Sequence, residues 1–282
     1  MRLATFNILH GRSIADGHVR ADRLYAAVQT LRPDVLGLQE VDRAQARSHG
    51  LDQTAIAADA MGAVAVRFIP AIDGTPGERW RAARAEGPAD EPAYGVSLLS
   101  RLPVRSWHVA RLPTLPVRSP LRTQDKRWVM ARDEPRVAVA AVLSSDAGPI
   151  TVATTHLSFL PGWNVMQLRR LLAEFAGLPR PFILTGDLNI PGPLPRSVAG
   201  WRPLAVAPTY PLHEPRVQLD HLLVDGRVGA VSHTAAPALP ISDHRALVAD
   251  VEPTPRDQPD SSASSSSRDR SRSGRLTSPV RT

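Results

Sequence analysis

The chain has 282 residues, about 43% of them apolar, enough to bury a sizeable core without a disulfide or a structural metal. It has no cysteine, which excludes thiolate zinc sites, thiol nucleophiles and disulfides. Net charge is +7, but the stretch from Arg256 carries six Arg against three Asp, so +3 belongs there and +4 to the body. A body so nearly neutral makes charge a weak argument for a nucleic-acid partner. Only one basic residue, Lys126, is a lysine.

In chain order, LATFNIL reads as a buried strand. RADRLYAAVQTLR follows, with Leu24, Ala27, Val28 and Leu31 at helical spacing, and Pro33 ends it. VLGLQEV is a second strand and LDQTAIAADAM a second helix. Strand-like runs recur at AVAVRFIP, YGVSLLS, RVAVAAVL, ITVATTHLS, PFILTGDL, QLDHLLV and HRALVADV. QLRRLLAEFAGL is amphipathic, with Leu168, Leu171, Leu172 and Phe175 on one face. About nine or ten strands with a few helices between them predict a layered α/β body. Residues 72–93 and 112–127, rich in Pro, Gly and charge, are expected as long surface loops. Residues 1–252 form the expected catalytic domain. Residues 253–282, Ser/Arg/Pro-rich, are expected to be a disordered tail. The opening MRLATFNILHG lacks the pattern of a signal peptide, and no apolar run reaches the roughly 18 residues of a membrane span. A cytoplasmic monomer is the expectation.

Polar residues interrupt or end these apolar runs. Asn7 lies inside the first strand, Glu40 ends VLGLQ and His156 ends ITVATT. Asp187 and Asn189 end PFILTG, Asp220 follows Leu219, and Asp243 with His244 precedes RALVADV. Each alone has a bland explanation: a strand-end charge, a satisfied histidine, a turn. Burying so many ionisable groups is costly without partners, which favours their convergence on one site.

Taken together, TFNILHG, GLQEVD, YGVSLLSR, TTHLS, TGDLN, QLDHLLV and SDHRAL, in that order, resemble the endonuclease/exonuclease/phosphatase superfamily. The resemblance runs from Thr5 to Leu247. It implies an α/β (α+β) fold, a four-layer α/β/β/α sandwich of two mixed sheets flanked by helices, with the site at one edge of both sheets. It further implies a metal-dependent hydrolase of phosphoesters, phosphodiesters first. Glu40 would be the principal ligand of Mg²⁺ (or Mn²⁺), with Asn7 beside it and Asp243 helping to hold metal or water. Oxygen donors suit such hard cations. Asn189 would donate to a phosphate oxygen, and His156 would steady the phosphoryl charge or protonate the leaving group. Asp187 and His244, the latter oriented by Asp220, are both candidates for the base.

The substrate is left open. His156, where abasic-site endonucleases carry tyrosine, is similar to the deoxyribonuclease and sphingomyelinase-like branches. No segment looks like the membrane-inserting aromatic hairpin of secreted sphingomyelinases, and the inositol-phosphatase form of the motifs is not seen. For DNA as the specific substrate, Arg118, Arg122, Lys126, Arg127 and Arg132 would supply phosphate contacts. A catalytically silent phosphate-binding relative is the contrasting reading.

Overall fold

The computed structural model describes residues 1–83, 87–88, 90–122 and 127–252. The expected disordered tail, and Lys126, lie outside them.

One sheet has seven strands: β1 (Arg2–Asn7), β2 (Val35–Arg43), β3 (Ala65–Gly74), β4 (Trp80–Ala82), β5 (Ala93–Ser100), β14 (Val231–Ala235) and β15 (Leu247–Val251). Their order is β14-β15-β1-β2-β5-β3-β4. The other has six: β6 (Val104–Leu112), β9 (Arg136–Ser145), β10 (Gly148–His156), β11 (Phe182–Asp187), β12 (Arg202–Pro203) and β13 (Asp220–Asp225). Their order is β12-β13-β11-β10-β9-β6. Each sheet is mixed, with one parallel pair, β1–β2 or β10–β11, among antiparallel neighbours.

The helices α1 (Ala21–Leu31) and α2 (Gln53–Met61) cover the first sheet, while α3 (Trp163–Glu174) and α4 (Leu194–Ala199) cover the second. α1 buries Leu24, Ala27, Val28 and Leu31, the stripe its spacing predicts. α2 begins where the Asp52 carboxylate accepts from the Ala55 N–H, an N-cap worth roughly 1 kcal/mol. Three apolar clusters fill the spaces between helices and first sheet, between the sheets, and between second sheet and helices. The expected four-layer sandwich is thus the observed one.

Two expected loops are partly strands. Residues 72–93 contain the end of β3, its antiparallel partner β4 and the start of β5. Residues 112–127 run into a hairpin of β7 (Ser119–Arg122) and β8 (Trp128–Ala131), which pairs only with itself. Trp128 and Met130 are exposed on β8, so an aromatic-bearing hairpin does exist. A two-stranded ribbon has open edges and tolerates Pro120, which is why composition reads it as a loop. Strands β6 and β14 were also unexpected. Both are edge strands with few fully buried residues, two in β6 and none in β14, so neither carries an apolar run.

Strand alternation places the polar residues. Along β1, Leu3 faces the second sheet whereas Ala4 and Phe6 face the helices, so Asn7 points between the sheets. Along β10, Val152 packs between the sheets and Ala153 against α3, which puts His156 on the inter-sheet side. Ile183 of β11 and Leu222 of β13 place Asp187 and Asp220 on that face by the same count.

The sheets meet most closely at Gly37. A Cβ there would lie 2.5 Å from the Thr154 Oγ1 and 2.6 Å from the Thr185 Oγ1. Beside it, Gln39 donates across the gap to Thr154 at 2.9 Å. Only glycine permits this approach.

Candidate active site

That approach lets Asn7 of one sheet reach Asp187 of the other. Its Nδ2 donates to Asp187 Oδ2 at 2.9 Å and to Glu40 Oε1 at 3.0 Å. Its Oδ1 accepts from the Leu9 N–H at 3.1 Å, leaving one lone pair for a cation. Asn7 is therefore first a clamp on two carboxylates.

Glu40 reaches this place through a backbone irregularity. The β2–β5 register shifts between Leu38 and Val41, and Glu40 adopts φ 57°. Leu38 and Val41 both pack toward the helices, so the bulge reverses the alternation and frees Glu40 from the helix face. Asn189, with φ 50°, is a second non-glycine residue in the left-handed region here. Such strain is concentrated at functional sites.

On the second sheet the ladder stays regular. His156 and Asp187 are register partners on parallel strands, and Asp187 pairs with Asp220 on β13. His156 Nε2 lies 3.5 Å from Asp187 Oδ2, and His244 Nε2 lies 3.8 Å from the same oxygen. The other ring nitrogen of His244 meets Asp220 Oδ2 at 2.8 Å. Ser242 holds the loop before β15, donating to the Asn7 carbonyl at 2.6 Å while accepting from the His244 N–H at 3.0 Å. All eight residues singled out from sequence converge here. Seven of them line one cleft of about 440 Å³ or sit directly behind it, and Asn7 joins its two halves.

Burial sets the proton distribution. It raises Asp187, which neighbouring Asp220 also raises and His244 opposes. Burial alone would lower His244, but Asp220 and Asp187 outweigh it and the ring is raised, held as an imidazolium between two carboxylates. His156 is pushed down by burial and then by Arg136 and His244, so it is neutral. Its Nε2 accepts from the Asn189 Nδ2 at 3.1 Å, and the second amide hydrogen of Asn189 goes to the Leu157 carbonyl at 3.0 Å. Two expectations change accordingly. A neutral, accepting His156 is poorly placed to protonate a leaving group, and Asn189 must give up a bond before it can donate to a phosphate.

Two groupings offer cation ligands. Glu40 is raised by burial and, after the opposing Asn7 bond, by Asp243, a carboxylate pair whose repulsion a cation would relieve. Asp187, Asp220 and His244 also bring one ligand-type atom each within 4.8 Å. His244 and Asp220 each already commit one atom to their mutual hydrogen bond, and the oxygen-only Glu40 corner suits a hard cation better.

The sequence reading missed several lining residues: His10, Arg47, Tyr94, Glu134, Arg136 and Tyr210. Tyr210 lies against the His244 ring, centroids 4.9 Å apart. Arg136 carried a usable signal, a charge abutting a buried strand, but at a strand's beginning and not its end. Arg47 sits in a short 3₁₀ turn and carried none. Of the arginines considered for DNA, Arg118, Arg127 and Arg132 are exposed, Arg132 lying over the Trp80 ring.

The model of the Endonuclease/Exonuclease/phosphatase family matches residues 4–244. Among solved structures, an endonuclease/exonuclease/phosphatase from Beutenbergia cavernae matches at TM-score 0.64 and 23% identity, over 90% of this chain and 71% of that one. A mannosyl-6-phosphatase from Bacteroides thetaiotaomicron matches at 0.57 and 15%, over 89% and 99%. Sphingomyelinase C from Streptomyces griseocarneus matches at 0.55 and 16%, over 88% and 98%. No curated protein matches the sequence significantly. A family match from β1 to the His244 loop, on a sandwich shared with these structures, settles the kinship: the chain belongs to the endonuclease/exonuclease/phosphatase family.

Proposed function

We propose that the chain is a divalent-metal-dependent phosphoester hydrolase, with phosphodiesters as its first substrate class. The observation that carries this reading is Asp187, a buried carboxylate bonded to Asn7 and within 4 Å of both His156 and His244. Glu40 and Asp243, with the remaining lone pair of Asn7, would hold Mg²⁺ or Mn²⁺, whose charge would polarise the phosphoryl oxygens and steady the departing oxygen.

The chain's own groups manage the proton and the orientation. His244 already holds its protons between Asp220 and Asp187, which leaves Asp187 to receive the proton of the attacking water. The imidazolium then faces the charge that develops on phosphorus. His156 and Asn189, bonded to each other, form the opposite wall, and their bond opens to admit a phosphoryl oxygen. The mannosyl-6-phosphatase and sphingomyelinase C among the similar structures support phosphoester chemistry without choosing a substrate.

The test is hydrolysis of bis-p-nitrophenyl phosphate by the purified chain. We expect turnover with Mg²⁺ or Mn²⁺ that stops in EDTA and returns on adding metal. Turnover undiminished in chelator would refute metal dependence. No turnover on this diester, p-nitrophenyl phosphate, DNA or RNA would favour the silent phosphate-binding reading. Among the described residues no helix is long and apolar enough to cross a membrane.

A further inference from the structure

The cleft has a second wall that the proposed hydrolysis does not use. At its Glu40 end lie His10, Pro76, Arg47 and Tyr94, and Arg136 also lines it. Arg47 is fixed with unusual care for a residue in a short turn. Its Nε and Nη2 donate to the two oxygens of Asp42 at 2.9 and 2.7 Å, and Asp42 is wholly buried. Its guanidinium lies over the Tyr94 ring, 5.4 Å from the centroid. The Asp42 N–H in turn donates to Gln53 Oε1 at 2.9 Å, and Gln53 Nε2 donates to the His10 carbonyl at 2.5 Å. One guanidinium is thus held by a buried carboxylate and an aromatic face, and the backbone of that carboxylate residue is tied by a helix-borne amide that also pins the His10 loop.

Sinking a carboxylate to hold an arginine carries a large desolvation cost, and stability alone seldom justifies it. Here it yields direction. Nε and Nη2 are committed to Asp42, and Nη1 makes no hydrogen bond among the described residues. Arg136 provides an independent observation. It is only 5% exposed, and among the described residues its Nε has no hydrogen-bond partner and its one ion-pair contact is Glu134 at 3.5 Å. Buried N–H groups are nearly always satisfied, so an orphaned one on a cleft wall marks a place where a ligand completes the bonding. Arg47, Arg136 and Tyr94 line the same cleft, with the Arg47 guanidinium over the Tyr94 ring.

We propose that this wall is a second anion subsite, and that the cleft takes phosphoesters carrying another phosphoryl group beside the one hydrolysed. Guanidinium groups match phosphate oxygens in geometry and charge, whereas a neutral substituent would leave the spare N–H groups of both arginines unmatched. The second phosphoryl belongs either to a small doubly phosphorylated molecule or to the neighbouring link of a polynucleotide. The proposal rests on the hydrolase reading for which phosphoryl reacts. The subsite itself is readable without turnover.

The test uses two substrate pairs whose members differ by one phosphate. The first is thymidine 5′-(p-nitrophenyl phosphate) with and without a 3′-phosphate, and the second is glucose 1,6-bisphosphate against glucose 6-phosphate. With Mg²⁺, we expect the doubly phosphorylated member of at least one pair to be favoured about tenfold in kcat/KM, through KM, as charge-assisted hydrogen bonds warrant. Preference in the nucleotide pair alone identifies a polynucleotide neighbour, and preference in the sugar pair alone a small molecule. Arg47→Met should bring the ratio toward one. Ratios near one for the wild type in both pairs, or a ratio that Arg47→Met leaves intact, would overturn the subsite. Should Arg47→Met fail to fold, Arg136→Met is read the same way. Should no ester be hydrolysed, the hydrolase reading fails separately. Calorimetric titration of the wild type with both pairs then decides, and equal affinities within each pair refute the proposal.

Discussion

The two sheets contribute to the cleft in opposite ways. Each has a central parallel pair ending at the cleft, β1–β2 in one and β10–β11 in the other. In the second sheet the pair stays in register to its last residues, and His156 faces Asp187 as an ordinary ladder partner. In the first, β1–β2 is equally regular, but the ladder of β2 with its other neighbour β5 breaks, and Glu40 leaves it with a left-handed backbone. A regular ladder fixes side chains to a fraction of an ångström, as proton transfer requires. A bulge re-aims one carboxylate, and a cation with flexible coordination tolerates the looser result. We read the second sheet as the proton-handling half and the first as the cation-holding half.

The sharpest way to break this comparison is to remove one carboxylate from each half. Asp187→Asn should lower kcat on a chromogenic diester by roughly 10²–10⁴, and extra Mg²⁺ should not help, because the proton acceptor is gone. Glu40→Gln should instead shift the Mg²⁺ dependence to higher concentration and recover part of its rate there. If added metal rescues Asp187→Asn, or Glu40→Gln behaves identically to it, the division between sheets is wrong.

His156 gives a smaller effect and a finer test. Because the ring is neutral and accepts from Asn189, His156→Ala should cost on the order of 10²-fold with both poor and good leaving groups. A defect that disappears with p-nitrophenolate would restore the proton-donor role expected from the family resemblance.

Gly37→Ala tests what joins the halves. The added methyl must push against Thr154 and Thr185, costing about 1–3 kcal/mol of stability. It should also reduce kcat, since the Asn7–Asp187 bond depends on the same spacing. A destabilised variant with unaltered kcat would show that the spacing at Gly37 does not reach the site. Thermal melts and single-turnover rates on one preparation separate the two outcomes.

The smallest effect lies farthest from the cleft. Arg2 forks onto Asp250 with two 2.7 Å bonds, lashing β1 to β15. The hydrogen bond from Arg2, partly opposed by burial, holds the Asp250 carboxyl below its ordinary range. Its contribution is therefore complete above the unfolded carboxylate's titration and is lost as pH falls through the lower folded value. Asp250→Asn should cost roughly 0.5–1 kcal/mol at neutral pH and nothing once both carboxyls are protonated. A cost that persists in acid would point to packing.

Much of this was legible in the sequence, for a physical reason. Phe6, Leu38, Val152 and Ile183 belong to strands buried on both faces, and a polar residue among them stands out as Asn7, His156 and Asp187 do. The four-layer arrangement came from the family resemblance, since alternation and spacing give only the elements. Arg47 was invisible because nothing in ARSHG separates a clamped guanidinium from a solvated one. Its partner Asp42 lies five residues away, and its stacking surface, Tyr94, on another strand. The raised His244 and the lowered His156 were equally hidden, being set by the carboxylates around one ring and the burial of the other, which spacing along the chain does not encode.

The pairing of β15 with β1 has a consequence for how the molecule comes into being. The Met1 amine donates to the Val251 carbonyl, and the Val251 N–H donates to the Met1 carbonyl, so the sheet closes by joining its first strand to its last. Asp243 and His244 sit on the loop that leads into that last strand. A chain growing on the ribosome therefore carries Asn7 and Glu40 early, yet lacks His244 and leaves one edge of β1 unpaired until β15 has been made. Domains that depend on such distant contacts fold late and expose strand edges meanwhile. Stalled chains ending before Ser242 should be sensitive to protease along β1, and full-length ones resistant. The same pairing that completes the sheet also brings Asp243 and His244 to the cleft, so a chain lacking β15 has an incomplete candidate site.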